Sequence, residues 1–170
     1  MAEEKEFIAI LMGSDSDLPT MQATTAVLEA FGIPYELNIK SAHRTPAAIQ
    51  AYVVDAERRG CQVFIAAAGM AAHLAGAVAA QTLCPVIGVP LDAGPLHGVD
   101  ALLSTVQMPG GIPVACTAIG AVGARNAGYL ALQMLALKRP ALAAALRAER
   151  EANALIILEK DASLRAPSKS

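Results

Sequence analysis

Tryptophan is absent from the 170 residues, and three tyrosines with three phenylalanines are the only other indole or phenyl side chains. Stacking surface for a flavin ring is therefore scarce. Charge is scarce too: Asp, Glu, Lys and Arg make up 16% of the chain, with a formal net charge of −2. No Lys/Arg cluster is longer than a pair such as Arg58-Arg59, so the basic footprint that nucleic acid or an anionic membrane demands is missing. A small anion held by a few local groups is still permitted. Cysteine is limited to Cys61, Cys84 and Cys116. They are odd in number, far apart and set in apolar runs, which reads as buried thiols in a reducing compartment. Without C-x-x-C or H-x-x-x-H spacing, no metal site is expected. Every apolar run is broken by Gly, Pro or His before it reaches membrane-spanning length. Met1 to Glu6 is acidic and polar where a signal peptide needs a basic patch and then an apolar stretch. The expectation is a soluble, cytoplasmic protein with no nucleic-acid or membrane partner.

What is plentiful is apolar side chain, at 55%. With so little charge to cover a monomer's surface, some of it is expected to be buried between subunits. The length suits a single domain over residues 1–170, with an ordered core over about residues 6–158 and a disordered polar tail from Ser163.

Short apolar runs alternate with longer helical patterns, the rhythm of a parallel sheet covered by helices on both faces. Strands are predicted at Phe7–Met12, Tyr35–Lys40, Gln62–Ala67, Pro85–Val89 and Val114–Ile119. The Pro85 strand reads as one that opens on a tolerated edge proline. Helices are predicted at Leu18–Phe31, from Pro46 to a stop at Gly60, at Ala71–Leu83, Val99–Val106 and Ala121–Leu137. A last helix runs from Pro140 through Leu142, Leu146 and Arg150 and on over Leu155–Leu158. Five strands in this pattern predict a flavodoxin-like, doubly wound, three-layer α/β/α fold with an extra C-terminal helix. In such a sheet ligands sit outside the carboxyl ends of the strands, so the loops that follow strands hold the candidate chemistry.

Four loops stand out. Gly13-Ser14-Asp15-Ser16-Asp17 joins a strand to a helix, where backbone N–H groups and serine hydroxyls can hold phosphate or sugar oxygens. The plainer alternative is helix capping by Ser16 or Asp17. Ser41-Ala42-His43-Arg44-Thr45-Pro46 pairs a forked donor for phosphate with a side chain type that titrates near neutrality. Ala66 to Gly76 has tiny side chains that let a ligand approach the backbone; alternatively they only permit tight packing, with His73 a core or interface histidine. Gln107 to Pro113, with Met108, Gly110 and Gly111 between prolines, is a lid or a simple turn. His97 and Asp92, on the loop from Pro90 to Gly98, are read as facing solvent.

Taken in order, Gly13-Ser-Asp-Ser-Asp17, Ser41-Ala-His-Arg-Thr-Pro46, Ala68-Gly-Met-Ala-Ala-His-Leu74 and Ser104-Thr-Val-Gln-Met-Pro109 resemble the class I N5-carboxyaminoimidazole ribonucleotide mutases, also called the catalytic subunit of phosphoribosylaminoimidazole carboxylase. The likeness runs from about Ile8 to Arg150. It implies an isomerase of purine (IMP) biosynthesis that moves a carboxyl group from N5 to C4 by decarboxylation and recarboxylation. It also implies a homo-octamer with sites at subunit contacts, no metal and no organic cofactor. At matching positions Ser14 and Asp17 would hold the ribose and phosphate end, and Ser41 and Arg44 the phosphate. His43 would be the general acid and base. Gly69, Met70 and Ala71 would cradle the carboxyl group, with His73 lining the pocket and the loop from Met108 to Gly111 helping to close it. The substrate's source would be an ATP-dependent carboxyaminoimidazole ribonucleotide synthetase, a possible functional partner.

This chain departs from the family at two places, with Met70 where Gly is common and Ala75 where Pro is common. The class II enzymes, which carboxylate the ribonucleotide directly with CO2, have Lys at the position of Arg44, which places this sequence with class I. A non-enzymatic nucleotide- or flavin-binding module lacks its aromatic platform here. A serine hydrolase lacks its G-x-S-x-G elbow.

Overall fold

A computed structural model describes residues 6–165, which fall into two compact units, one ending at Leu132 and one beginning at Gln133. In the first, five parallel strands stand in the order β2-β1-β3-β4-β5. They are β1 (Phe7–Met12), β2 (Tyr35–Ile39), β3 (Cys61–Ala68), β4 (Val86–Pro90) and β5 (Ala115–Cys116). This is the flavodoxin-like order. The helices of this unit are α1 (Leu18–Ala30), α2 (Pro46–Arg58), α3 (Leu74–Ala79), α4 (Val99–Val106) and most of α5 (Gly120–Ala136).

Every residue of β1 is buried, as expected of an inner parallel strand covered on both faces. Period-two alternation divides its side chains. Phe7, Ala9 and Leu11 join Phe64 and Ala66 of β3 in a cluster closed by Ile49, Val53 and Ala56 of α2 and Leu74 and Val78 of α3. Ile8 and Ile10, fully buried, point the other way, and each contributes about 1.5–3 kcal/mol by leaving water. On α1 and α5 the Thr24 hydroxyl donates to the Ala124 carbonyl at 2.7 Å. β2 is the edge, and it is guarded by charge: Glu36 accepts from Arg59 and from the Tyr52 hydroxyl at 2.8 Å.

Several boundaries differ from the sequence reading. The alanine-rich stretch from Ala71 to Leu83 is helical only over Leu74–Ala79. Its first residues are drawn into the loop behind β3. Its end unwinds so that Cys84 N–H can donate to the Thr82 hydroxyl, itself bonded to Glu57, before the chain enters β4. The last strand is two residues long rather than six, although Thr117 N–H still donates to Gly88 O at 3.0 Å. β4 lies inside the sheet, so Pro85 does not mark an edge; it stands just before the strand, where its missing N–H costs no ladder bond and its carbonyl accepts from Phe64. Cys61 is buried, whereas Cys84 and Cys116 are only partly so. Burial pushes the Cys61 thiol up to about 12.

The second unit is the end of α5 and α6, a 26-residue helix over Pro140–Arg165. Ser163 to Arg165, expected in a disordered tail, are helical, and the Arg165–Asp161 ion pair at 2.9 Å, one turn apart, supports that last turn. The rest of the expected tail lies outside the described residues. Among the described residues, no helix is long and apolar enough to cross a membrane.

Candidate active site

Three strand-to-helix loops and one further loop converge at the carboxyl edge of the sheet on a cleft of about 380 Å³. That is within the range of about 300–1,000 Å³ usual for small-ligand sites. Gly13, Ser14, Ser16 and Asp17 come from behind β1, Ser41 to Arg44 from behind β2, Ala68 to Ala71 with His73 and Leu74 from behind β3, and Ala93 from behind β4. The lining is divided by origin. The first two loops bring hydroxyls, a carboxylate and a guanidinium; the last two bring mostly alanine, glycine, methionine and leucine.

In the first loop, Ser14 caps a single 3-10 turn over Asp15–Asp17 in a reciprocal box. Its hydroxyl accepts from Ser16 N–H at 3.3 Å, while Asp17 Oδ2 accepts from Ser14 N–H at 3.0 Å. Capping is thus realised, by Ser14 rather than Ser16, with Asp17 as the answering carboxylate. Partial burial raises the Asp17 carboxyl above its ordinary value, against hydrogen bonds from Ser14 and Ser16 that lower it. Asp17 Oδ1, whose Ser16 contact is long at 3.4 Å, is the oxygen best able to accept from a ligand hydroxyl.

The second loop folds around Ser41. Its hydroxyl accepts from Arg44 N–H at 3.2 Å and from Arg44 Nε at 3.3 Å, and Arg44 Nη2 donates to the Gly13 carbonyl at 3.2 Å. The guanidinium therefore ties the first two loops together and stays exposed. Beside it, His43 Nε2 and His73 Nδ1 are 2.7 Å apart, with the rings nearly perpendicular at 80°. One nitrogen must donate and the other accept, so at most one of these two facing nitrogens carries a proton. The contact joins the polar loops to the apolar ones.

The third loop is held by close backbone packing. Leu91 N–H donates to Ala68 O at 3.0 Å, and a Cβ on Gly69 would come within 2.6 Å of Ala93 Cβ, so only glycine fits at 69 without displacement. Met70 follows with a φ of 54°.

Of the residues picked out from sequence, Ser14, Asp17, Ser41, His43, Arg44, Gly69, Met70, Ala71 and His73 all line this cleft. Met108 does not. Its thioether lies against α3, 3.3 Å from where a Gly76 Cβ would stand. The physical reason is directional: Gln107–Pro113 leads into β5, whereas the cleft gathers segments that leave strands. Ala93, which lines the cleft as well, carries no sequence signal of its own beyond following a strand. Its neighbours His97 and Asp92 are exposed and 3.5 Å apart. Among the described residues, no group of three or more His, Cys, Asp and Glu is placed to hold a metal ion.

Fold and cleft together define a flavodoxin-like α/β protein with a histidine pair at its strand-end site. Comparison with known proteins narrows this. The chain belongs to the AIR carboxylase family, whose pattern matches residues 7–155. It is 51% identical over 164 residues to the N5-carboxyaminoimidazole ribonucleotide mutase of Synechocystis sp., covering 96% of this chain and 92% of that one. It is 53% identical over 147 residues to the mutase of the same name from Pyrococcus horikoshii, covering 86% and 82%. The crystal structure of Treponema denticola PurE superposes with a TM-score of 0.85 at 30% identity, covering 94% of this chain and 99% of the other.

Proposed function

We propose that this chain is an isomerase of purine biosynthesis that converts N5-carboxyaminoimidazole ribonucleotide into 4-carboxy-5-aminoimidazole ribonucleotide, with His43 as its general acid and base. The relatives that carry the mutase name, at about half identity over most of the chain, support the reaction. The observation that carries the residue assignment is the 2.7 Å contact between His43 and His73 where the polar and apolar linings meet.

The chemistry follows from that division. Asp17 and Ser14 take the ribose hydroxyls, and Arg44 with Ser41 takes the phosphate, two of whose oxygens suit a planar fork. This leaves the aminoimidazole ring toward the alanine and glycine lining. A carbamate on N5 loses CO2 once its nitrogen is protonated: the N–C bond breaks, its electrons stay on nitrogen, and neutral aminoimidazole ribonucleotide is left beside CO2. The enamine-like C4 then attacks that CO2, and the proton on C4 returns to the imidazole. His43 can give and take because its partner nitrogen on His73 can complement either tautomer. The apolar wall suits an uncharged fragment, and Gly69, Met70 and Ala71 expose backbone to the carboxylate that forms. Containment keeps the fragments within contact distance, and no step needs a metal or an organic cofactor.

The same reading makes the protein a cytoplasmic homo-octamer with sites at subunit contacts, functionally coupled to the ATP-dependent synthetase that supplies the carbamate. Exposed Leu83, Leu103, Val122 and Leu137, and the run Leu155 to Leu158, favour buried contacts between copies. Met108 lies outside its own cleft, and a neighbour's cleft is where it could take part.

The test is His43→Asn. Turnover should fall by about 10²–10⁴-fold, the usual share of a positioned acid–base group, while nucleotide affinity and melting temperature hold. Near-normal turnover would remove His43 from the role.

A further inference from the structure

We propose that Thr45 is a positioning residue of the cleft, whose hydroxyl closes the turn that carries His43 and so holds that imidazole in place against His73 for proton transfer. The inference deepens the mutase reading and rests on it.

Thr45 stands at the N-terminal cap of α2, with Pro46 as the first helical residue. A threonine there ordinarily turns its hydroxyl oxygen toward a backbone N–H just inside the helix, as Ser14 does in the neighbouring loop. Thr45 makes no such bond. Its side chain faces back up the chain instead: Oγ1 accepts from Ser41 N–H at 2.9 Å and donates to the Ser41 carbonyl at 3.2 Å. The Thr45 N–H reaches the same carbonyl at 2.9 Å. Since the Ser41 hydroxyl also accepts from Arg44, the N–H, the carbonyl and the hydroxyl oxygen of this one residue are all engaged inside the turn from Ser41 to Thr45. His43 is the middle member of that turn.

Packing contributes little to its shape. Ala42 lies on the core cluster, but His43, Arg44 and Thr45 are all exposed. A turn anchored in this way depends on hydrogen bonds, and a hydroxyl that forgoes a helix cap to supply two of them marks where the shape matters. What the shape serves is the 2.7 Å contact between His43 Nε2 and His73 Nδ1. Rates are sensitive to such placement, and a shift of about 1 Å can cost about 100-fold. Nucleotide affinity depends on the clamp less, because Arg44 is tied to Ser41 and to the Gly13 carbonyl without help from Thr45. No bond of Thr45 itself changes in the reaction.

The experiment compares full-length wild type with Thr45→Val, which keeps the branched shape without the hydroxyl, and Thr45→Ser, which keeps the hydroxyl. It measures kcat and KM for the N5-carboxylated nucleotide, and the melting temperature of each protein. Thr45→Val should lose about 10- to 100-fold in kcat. Its KM and melting temperature should stay near wild type, because the residue is exposed and caps no helical N–H. Thr45→Ser should recover most of the rate. A Thr45→Val enzyme with the kcat of wild type would overturn the inference and leave the mutase reading standing. So would a loss confined to KM, a loss of rate that only follows a lowered melting temperature, or a serine variant as slow as the valine one. A wild type that cannot convert the N5-carboxylated nucleotide would overturn that reading, and this inference with it.

Discussion

At the scale of single residues, Arg44 shows how a site can be prepared before a ligand arrives. Two of its nitrogens are spent on Ser41 and on the Gly13 carbonyl, which orients the fork at the polar end of the cleft. Arg44→Ala should therefore weaken nucleotide binding by about 10- to 100-fold, the worth of a hydrogen bond to a charged group at roughly 1.5–3 kcal/mol. The fold should survive, since Arg44 is exposed. An unchanged dissociation constant by calorimetry would reject its assignment to phosphate. Residues of this kind were legible in the sequence because serine, histidine and arginine carry their chemistry in their names. Ala93 was not, because a methyl group that lines a cleft looks like any other alanine. Met108 sat in a family motif, and motif order alone does not say which end of the sheet a loop reaches.

Among the elements, the buried strands were the easiest to read, since a covered parallel strand such as β1 is a continuous apolar run. α3 and β5 are shorter than their sequence patterns predict, for different reasons. Alanine favours helix wherever tertiary contacts leave it free to do so, and here the Gly69 and Thr82 contacts at either end do not. β5 sits at the sheet's edge, where only one neighbour holds it in register. The other edge, β2, depends on charge. Hydrogen bonding to Arg59 holds the Glu36 carboxyl below its ordinary value of 4.5, and Arg58 with Arg59 lowers Asp55 likewise. A carboxylate that is depressed in the native state binds fewer protons there than in the unfolded chain. Its contribution is complete above the unfolded value and drains as pH falls through the native one. For the partly exposed Glu36–Arg59 pair it is on the order of 1 kcal/mol or less. Glu36→Gln should thus flatten the loss of melting temperature as pH drops below about 4.5. A variant that keeps the wild-type slope would show the network to be idle.

For the molecule as a whole, the order of the strands decides where the cleft lies. Placing β1 and β3 at the centre puts their loops opposite one another at the switch in strand order, which is where a doubly wound sheet opens. The loop behind β2 reaches the same gap, where its His43 meets His73 of the loop behind β3. The most direct measurement is substrate choice by the purified, full-length protein. It should convert the N5-carboxylated nucleotide to the C4-carboxylated one without added bicarbonate, and it should barely act on the uncarboxylated nucleotide when bicarbonate is supplied. Turnover of the uncarboxylated nucleotide alone, with the carbamate left untouched, would contradict the account.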